Sequence, residues 1–299
     1  MDCFHDFTQL RGAGALIQMP GLAAHFSLPA ELLCFANFSG PTGSFKDSLA
    51  EGMIRMAEQN GVLAPAAPVF GSGAGGFAAA LTLAGYRTGH PVTLCVGAGV
   101  LPARSRLLGE LGAKLVLCPS TGGQGGLDRR AARLAAERGG WFADYYGDDL
   151  NPEFHRRVTG PAILKATGEK LDFVVAAVGS GGTVSGVGEY IKAWTNGIRI
   201  IAVEPCESQV LSGGFAGPHG LEGIGCGFVP DNYNPYIVDR VLPVSTGDGR
   251  EAARQALLCD GLPLSDTAGA ALAAALQLAA DPENAGKRVV AITGGRAIF

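Results

Sequence analysis

Apolar residues recur along this chain in two alternating rhythms. Short unbroken runs, VTLCV (92–96), KLVLC (114–118), FVVAAV (173–178), IRIIAVEP (198–205) and RVVAIT (288–293), read as strands buried on both faces. Between them lie segments whose apolar residues return every three or four positions. ARSRLLGELGA (103–113), LDRRAARLAAERG (127–139), REAARQALLCDG (250–261) and AGAALAAALQLAA (268–280) read as helices. Strand following helix in this way predicts an α/β protein with mainly parallel sheets flanked by helices. Two such sets occur, one before about residue 150 and one after it, so the pattern predicts two lobes. The polar stretch YYGDDLNPEFHRR (145–157) reads as the crossing between them.

Two strand-to-helix junctions are rich in glycine. APVFGSGAGGFAAALTLAGYR (67–87) and DFVVAAVGSGGTVSGVGEYIKAW (172–194) each read as strand, tight turn, helix. Free N–H groups and the helix dipole at such a turn suit an anion. Gly71, Gly73 and Gly76 also satisfy the dinucleotide pattern G-x-G-x-x-G. The acidic residue that a ribose would need at the end of the next strand is missing, because VTLCVGAG closes on glycine. In the second turn, Gly179, Ser180, Gly181, Gly182 and Thr183 offer backbone N–H groups and two hydroxyls, a set suited to phosphate.

A third turn, GPTGSFKDSLA (40–50), places Lys46 at the start of a helix that continues through Leu49, Met53, Ile54 and Met56, with Ser44 as a candidate cap. A cation there opposes the macrodipole at a cost of about 0.3–1 kcal/mol. A nucleotide P-loop is excluded: Phe45 precedes the lysine and Asp47 follows it, where that motif needs glycine and Ser/Thr. The remaining chemical use is the amine itself, as a base or as a Schiff-base partner for a carbonyl cofactor. Pyridoxal 5′-phosphate (PLP) would take Lys46 and the phosphate turn, and an amino-acid carboxylate would take the first turn.

Composition narrows the alternatives. Of 299 residues, 47% are hydrophobic and 17% charged, enough for a large core and too apolar for a disordered chain. The net charge of −4 and the lack of a basic run argue against nucleic acid. No window approaches 18 uninterrupted apolar residues, and MDCFHDFTQLRG lacks the pattern of a signal peptide. Seven cysteines without C-x-x-C read as free thiols in a reducing cytoplasm, and five scattered histidines show no metal spacing.

With these residues in place the sequence resembles the fold-type-II PLP enzymes, most closely the cysteine synthases (O-acetylserine sulfhydrylases). PTGSFKD is similar to their Schiff-base lysine motif, and GSGGTVSGVGEYIK to their phosphate loop. NPEFHRRVTGPAI, VEPCESQVLSGG and GPHGLEGIGCGFVP resemble further family segments. The resemblance implies a smaller, mobile lobe (36–150) carrying Lys46 and the carboxylate loop. It implies a larger lobe (151–299) that binds the PLP phosphate, with 1–35 packed on it. Lys46 would be the catalytic residue. Gly179, Ser180, Gly181, Gly182, Thr183 and Thr293 would join it in binding the cofactor, Thr293 falling where a Ser or Thr bonds the pyridine nitrogen. Ser72, Gly73, Ala74, Gly75, Gly76, Gly223, Ile224 and Gly225 would bind a small amino-acid substrate. The implied reaction is β-replacement on an activated serine derivative through an aminoacrylate intermediate, in a homodimer. β-Elimination on the same scaffold, or a non-catalytic PLP-binding homologue, are the alternatives.

The sequence departs from the family at the carboxylate loop. Ala74 stands where the family has Asn, and Gly75 where it has Thr. The family's glutamine ahead of the mid-chain segment is absent, with Tyr145 or Tyr146 nearest its position. The departures point to a changed amino-acid substrate or nucleophile rather than to loss of the cofactor, since one neutral hydrogen bond is worth only about 1 kcal/mol.

Overall fold

The computed structural model describes residues 14–38 and 40–295. In chain order the elements are β1 (Ala15–Gln18), α1 (Pro20–His25), β2 (Glu31–Ala36), α2 (Lys46–Gln59), β3 (Val69–Ser72), α3 (Gly76–Thr88), β4 (Val92–Gly97), α4 (Pro102–Glu110), β5 (Lys114–Cys118), α5 (Gly123–Arg138) and β6 (Trp141–Phe142). They continue with α6 (Leu150–Phe154), a π-helical turn (His155–Thr159), α7 (Gly160–Ala166), β7 (Phe173–Ala177), α8 (Gly182–Trp194), β8 (Arg199–Pro205), β9 (Arg240–Val244), α9 (Thr246–Asp260), α10 (Asp266–Ala280) and β10 (Arg288–Thr293). The chain forms two compact units. Among the described residues, one comprises 14–38, 43–45 and 151–295; the other comprises 40–42 and 46–150.

The larger unit is built on a six-stranded sheet of order β1-β2-β10-β7-β8-β9. Only β1 runs antiparallel to its neighbour. Alternation along each strand fills both faces. Leu32, Cys34, Phe173, Val175, Ile201, Val203, Val289 and Ala291 pack with residues of α1, α9 and α10. Leu33, Phe35, Val174, Ala176, Ile200, Ala202, Val290 and Ile292 pack with α7 and α8. Burial on both sides is why these strands read as continuous apolar runs. Ser245 and Ser265 cap α9 and α10 by accepting from the N–H groups of Asp248 and Ala268.

The smaller unit has a four-stranded parallel sheet of order β5-β4-β3-β6. Phe70, Cys95 and Cys118 pack with Ala131, Leu134 and Ala135 of α5. Arg129, Arg130 and Arg133 lie on the exposed face of that helix, the solvated face its sequence indicates. Among the described residues no helix is long and apolar enough to cross a membrane.

Candidate active site

Lys46 is the first residue of α2, and what precedes it explains why it is held there. The Asp47 side chain closes the turn before the helix. The buried Asp47 carboxylate accepts from the Thr42 N–H at 3.0 Å and the Thr42 hydroxyl at 2.8 Å. It lies against Gly40 so closely that any side chain at that position would collide with it. In the larger unit, Ser44 pairs with Gly295 in an isolated bridge, and the Phe45 N–H donates to the Gly294 carbonyl at 3.2 Å. The Phe45 ring fills the space where a side chain on Gly294 would stand and meets His155 edge-on, with centroids 5.7 Å apart. The residue ahead of the lysine is therefore anchored at its backbone and its ring.

Within the smaller unit one carboxylate-loop candidate, Gly76, lies against the same lysine. β3 ends at Ser72, and α3 opens at Gly76 after the extended N-cap Gly75 (φ −86°, ψ −169°), which supplies no side-chain cap. The first N–H groups of the helix thus face outward without a capping side chain. A Cβ at Gly76 would sit 3.6 Å from Lys46 Cδ and 3.9 Å from Lys46 Nζ, so the amine lies over the opening turn of α3. Nothing comes within 4 Å of such an atom at Gly75. Tyr145 stacks on Phe77 of the same turn at 4.4 Å between centroids, so the residue near the missing family glutamine does reach this helix.

Ser72 is placed in the loop, but its hydroxyl is engaged behind it. It donates to Asp128 Oδ1 at 2.5 Å and accepts from Gln124 Nε2 at 2.9 Å, and Gln124 Nε2 also donates to Asp128 Oδ1 at 2.8 Å. The one Ser72 hydroxyl proton therefore points at the Asp128 carboxylate. Gln124 and Asp128 were not singled out by the sequence. The only local signal was a long polar side chain set among glycines in GGQGG.

In the larger unit the second glycine turn is tightly built. Gly181 has φ +83°, and a Cβ there would lie 2.7 Å from the Tyr233 backbone nitrogen. A side chain at Gly182 would collide with the Asn151 amide. Both glycines are required by packing as well as by any anion. Asn151, fully buried, donates to Ser180 Oγ at 3.0 Å, and the Gly182 N–H approaches the same oxygen at 3.4 Å. With its acceptor side so filled, the Ser180 hydroxyl keeps its proton for a ligand. Thr183 Oγ1 lies 3.1 Å from His155 Nε2, while His155 Nδ1 lies 2.8 Å from Thr159 Oγ1. Complete burial pushes the His155 pKa down to about 3, so the ring is neutral and carries one N–H. His155 sits in the π-helical turn, a distortion that often marks functional sites. Asn151 and His155, four residues apart on one helical face, were legible only as part of the segment NPEFHRR.

The residues 223–225 lie beside this turn, since the Cys226 thiol donates to the Gly179 carbonyl at 3.6 Å. Gly223 (φ +90°) is exposed, whereas the Ile224 side chain is buried in the core against α9 and α10. The Gly225 N–H donates to the Val178 carbonyl at 3.2 Å. The Ile224 side chain and the Gly225 N–H thus shape the loop. Thr293 is completely buried, and its hydroxyl faces the Phe35 carbonyl at 3.4 Å and the Cys34 thiol.

Glu204 explains the fold of a further segment, VEPCESQVLSGG. Buried at the end of β8, it accepts from the Leu211 N–H at 2.8 Å and the Ser212 hydroxyl at 2.5 Å, and so folds that loop back on itself.

The donor set fits PLP. A cradle closed by two obligatory glycines presents hydroxyls oriented by Asn151 and His155, which suits a phosphate. A lysine amine over a helix N-terminus suits an aldehyde carrier and an amino-acid carboxylate. The family comparison agrees: residues 8–295 match the family model described as pyridoxal-phosphate dependent enzyme. The chain belongs to that family and is a PLP-dependent enzyme of the cysteine synthase type. It is 32% identical to a cysteine synthase of Staphylococcus aureus over 288 residues, covering 96% of this chain and 92% of that protein. It superimposes on a cysteine synthase of Entamoeba histolytica with a TM-score of 0.90 and 32% identity, covering 99% of this chain and 88% of that one. An O-ureido-L-serine synthase structure gives a TM-score of 0.89 and 26% identity, covering 99% and 92%.

Proposed function

We propose that this protein catalyses β-replacement on an activated serine derivative such as O-acetyl-L-serine, making cysteine or another β-substituted alanine. The observation that carries this reading is the Lys46 amine lying over the opening turn of α3, in a chain similar to cysteine synthases throughout its length. Bound PLP supplies the electron sink that makes the substrate Cα–H acidic. Lys46 Nζ carries the cofactor at rest, removes the Cα proton as general base and returns it at the end. The N–H groups opening α3 hold the substrate carboxylate, since the side chains of Ala74 and Gly75 offer no donor.

Gly179, Ser180, Gly181, Gly182 and Thr183 hold the phosphate. Phosphate oxygens mainly accept, so Thr183 Oγ1 donates to them and accepts from His155 Nε2–H. This fixes the neutral tautomer, with His155 Nδ1 accepting from the Thr159 hydroxyl. A homodimer and a cytoplasmic location complete the proposal. The first rests on the family resemblance. The second rests on six free cysteines among the described residues.

The test is Lys46→Ala. The purified wild type absorbs in the visible from its lysine-bound cofactor; the variant loses that band, and turnover of O-acetyl-L-serine falls by about 10²–10⁴-fold or more. Retention of both would place the chemistry on another lysine.

A further inference from the structure

One imidazole closes the loop that runs from 219 to 225. His219 Nε2 donates to the Gly225 carbonyl at 2.9 Å, and the Leu221 N–H donates to His219 Nδ1 at 3.3 Å. Only a ring with its proton on Nε2 makes both bonds. Gly225 has φ +58°, and a Cβ there would lie 2.8 Å from that same nitrogen, so glycine lets the ring sit against the loop. Next to the imidazole, the Gly220 N–H donates to Thr246 Oγ1 at 3.0 Å, which ties it to the start of α9.

The far end of this loop meets the β7–α8 turn. The Gly225 N–H donates to the Val178 carbonyl at 3.2 Å. The Cys226 thiol stands between the Gly179 and Phe228 carbonyls, at 3.6 and 3.3 Å. The Gly179 carbonyl and the Ser180 N–H belong to one planar peptide and point opposite ways, so what fixes the first aims the second. Ser180 and Gly181 are buried, yet their N–H groups have no partner among the described residues. Buried N–H groups left open in this way call for an anion.

We propose that His219 is a positioning residue for the PLP phosphate: through Gly225 and Cys226 it sets the Gly179–Ser180 peptide, whose N–H receives the phosphate. This deepens the cofactor half of the β-replacement reading and rests on 179–183 being the phosphate turn. His219 touches neither cofactor nor substrate in this role. Its Nε2 arm to Gly225 carries the effect, and its Nδ1 bond to Leu221 is local to the loop.

The two bonds can be cut separately in the full-length chain. His219→Gln keeps an N–H donor where Nε2 stands and loses the acceptor for Leu221. His219→Asn keeps an acceptor near Nδ1 and is too short to reach Gly225. Titration of PLP onto cofactor-stripped protein reads affinity, and phosphorus NMR of the holoenzyme reads the surroundings of the bound phosphate. His219→Asn weakens PLP binding by about tenfold, one hydrogen bond's worth, while His219→Gln stays within about twofold of wild type. The phosphorus resonance moves in His219→Asn and keeps its wild-type position in His219→Gln. A mere staple of the loop would lose affinity equally in both variants, and that result overturns the proposal. So does wild-type affinity with an unmoved resonance in His219→Asn. Ser180→Ala separates the two readings. Loss of PLP affinity there without loss in His219→Asn removes the role of His219 alone. Unchanged affinity in Ser180→Ala removes 179–183 as the phosphate turn, and the proposal with it.

Discussion

The two glycine turns look alike in the sequence and are built on opposite principles. At β7–α8, Gly181 and Gly182 are walled in by Tyr233 and Asn151, and the hydroxyls between them are held by buried partners. At β3–α3, Gly75 is exposed with nothing within 4 Å of a would-be Cβ, and Gly76 meets only the lysine side chain. The first turn uses glycine because nothing else fits, and the second uses it to leave room. A rigid cradle suits a cofactor group that never changes. An open loop leaves room for a ligand of variable shape.

The widest separation between the turns should come from adding one methyl group to each. Gly182→Ala forces the Asn151 amide aside and destabilises the larger unit by about 1–3 kcal/mol, with loss of the Ser180 hydrogen bond and weaker PLP binding. Gly75→Ala, at an extended φ that any residue adopts, stays within about 0.5 kcal/mol of wild type. Thermal melts with and without PLP check both. Equal melting temperatures for the two variants would erase the distinction.

His155 gives a pH signature to the cradle alone. Its folded pKa, pushed down to about 3, lies below the ordinary value of 6.5. Between those values the unfolded chain binds a proton that the folded chain does not, so the stability contribution falls as pH drops through that window. Urea melts at pH 7 and pH 4.5 should show a smaller acid-induced loss for His155→Gln than for wild type. An equal loss would mean that His155 takes up its proton in the folded state.

Ala74→Asn sharpens the other half of the comparison. Asn fills the open loop and adds an amide that has no built partner, so turnover with the native nucleophile falls by about three- to tenfold. Paired rates on several β-substituted serines check this, and unchanged rates on all of them would show that position 74 does not set specificity. The smallest effect is expected at Thr293→Val. With a hidden hydroxyl and a bond of 3.4 Å, the cofactor spectrum should be unchanged. A shifted band would return Thr293 to the cofactor.

Much of this fold could be read directly. RVVAIT coincides with β10, because a strand buried on both faces leaves an apolar run as its trace; KLVLC coincides with β5, but that edge strand leaves Leu117 exposed and is not buried on both faces as its sequence predicts. Helix ends were less legible. α5 begins at Gly123, ahead of the periodic residues, since Gly123–Gly126 resembles a loop until the fold closes around it. β2 bears the same apolar trace, since LLCFA is an unbroken apolar run, although it is not among the runs read as strands; it pairs with β1 and with β10 at the far end of the chain.

The site divides along the same line. Composition and local pattern determined the architecture, the two anion turns and the lysine, because each depends on residues adjacent in the chain. Tertiary structure alone decided how the side chains of those residues are partnered. Ser72 meets partners 52 and 56 positions away because α5 packs behind β3, and that contact turns its hydroxyl from donor to relay. His155 reaches Thr183 across 28 positions. Thr293, at the right place in the sequence, is sealed between β10 and β2. A linear pattern records which chemical groups are present. Their direction and availability depend on contacts between distant segments, for which the pattern holds no register.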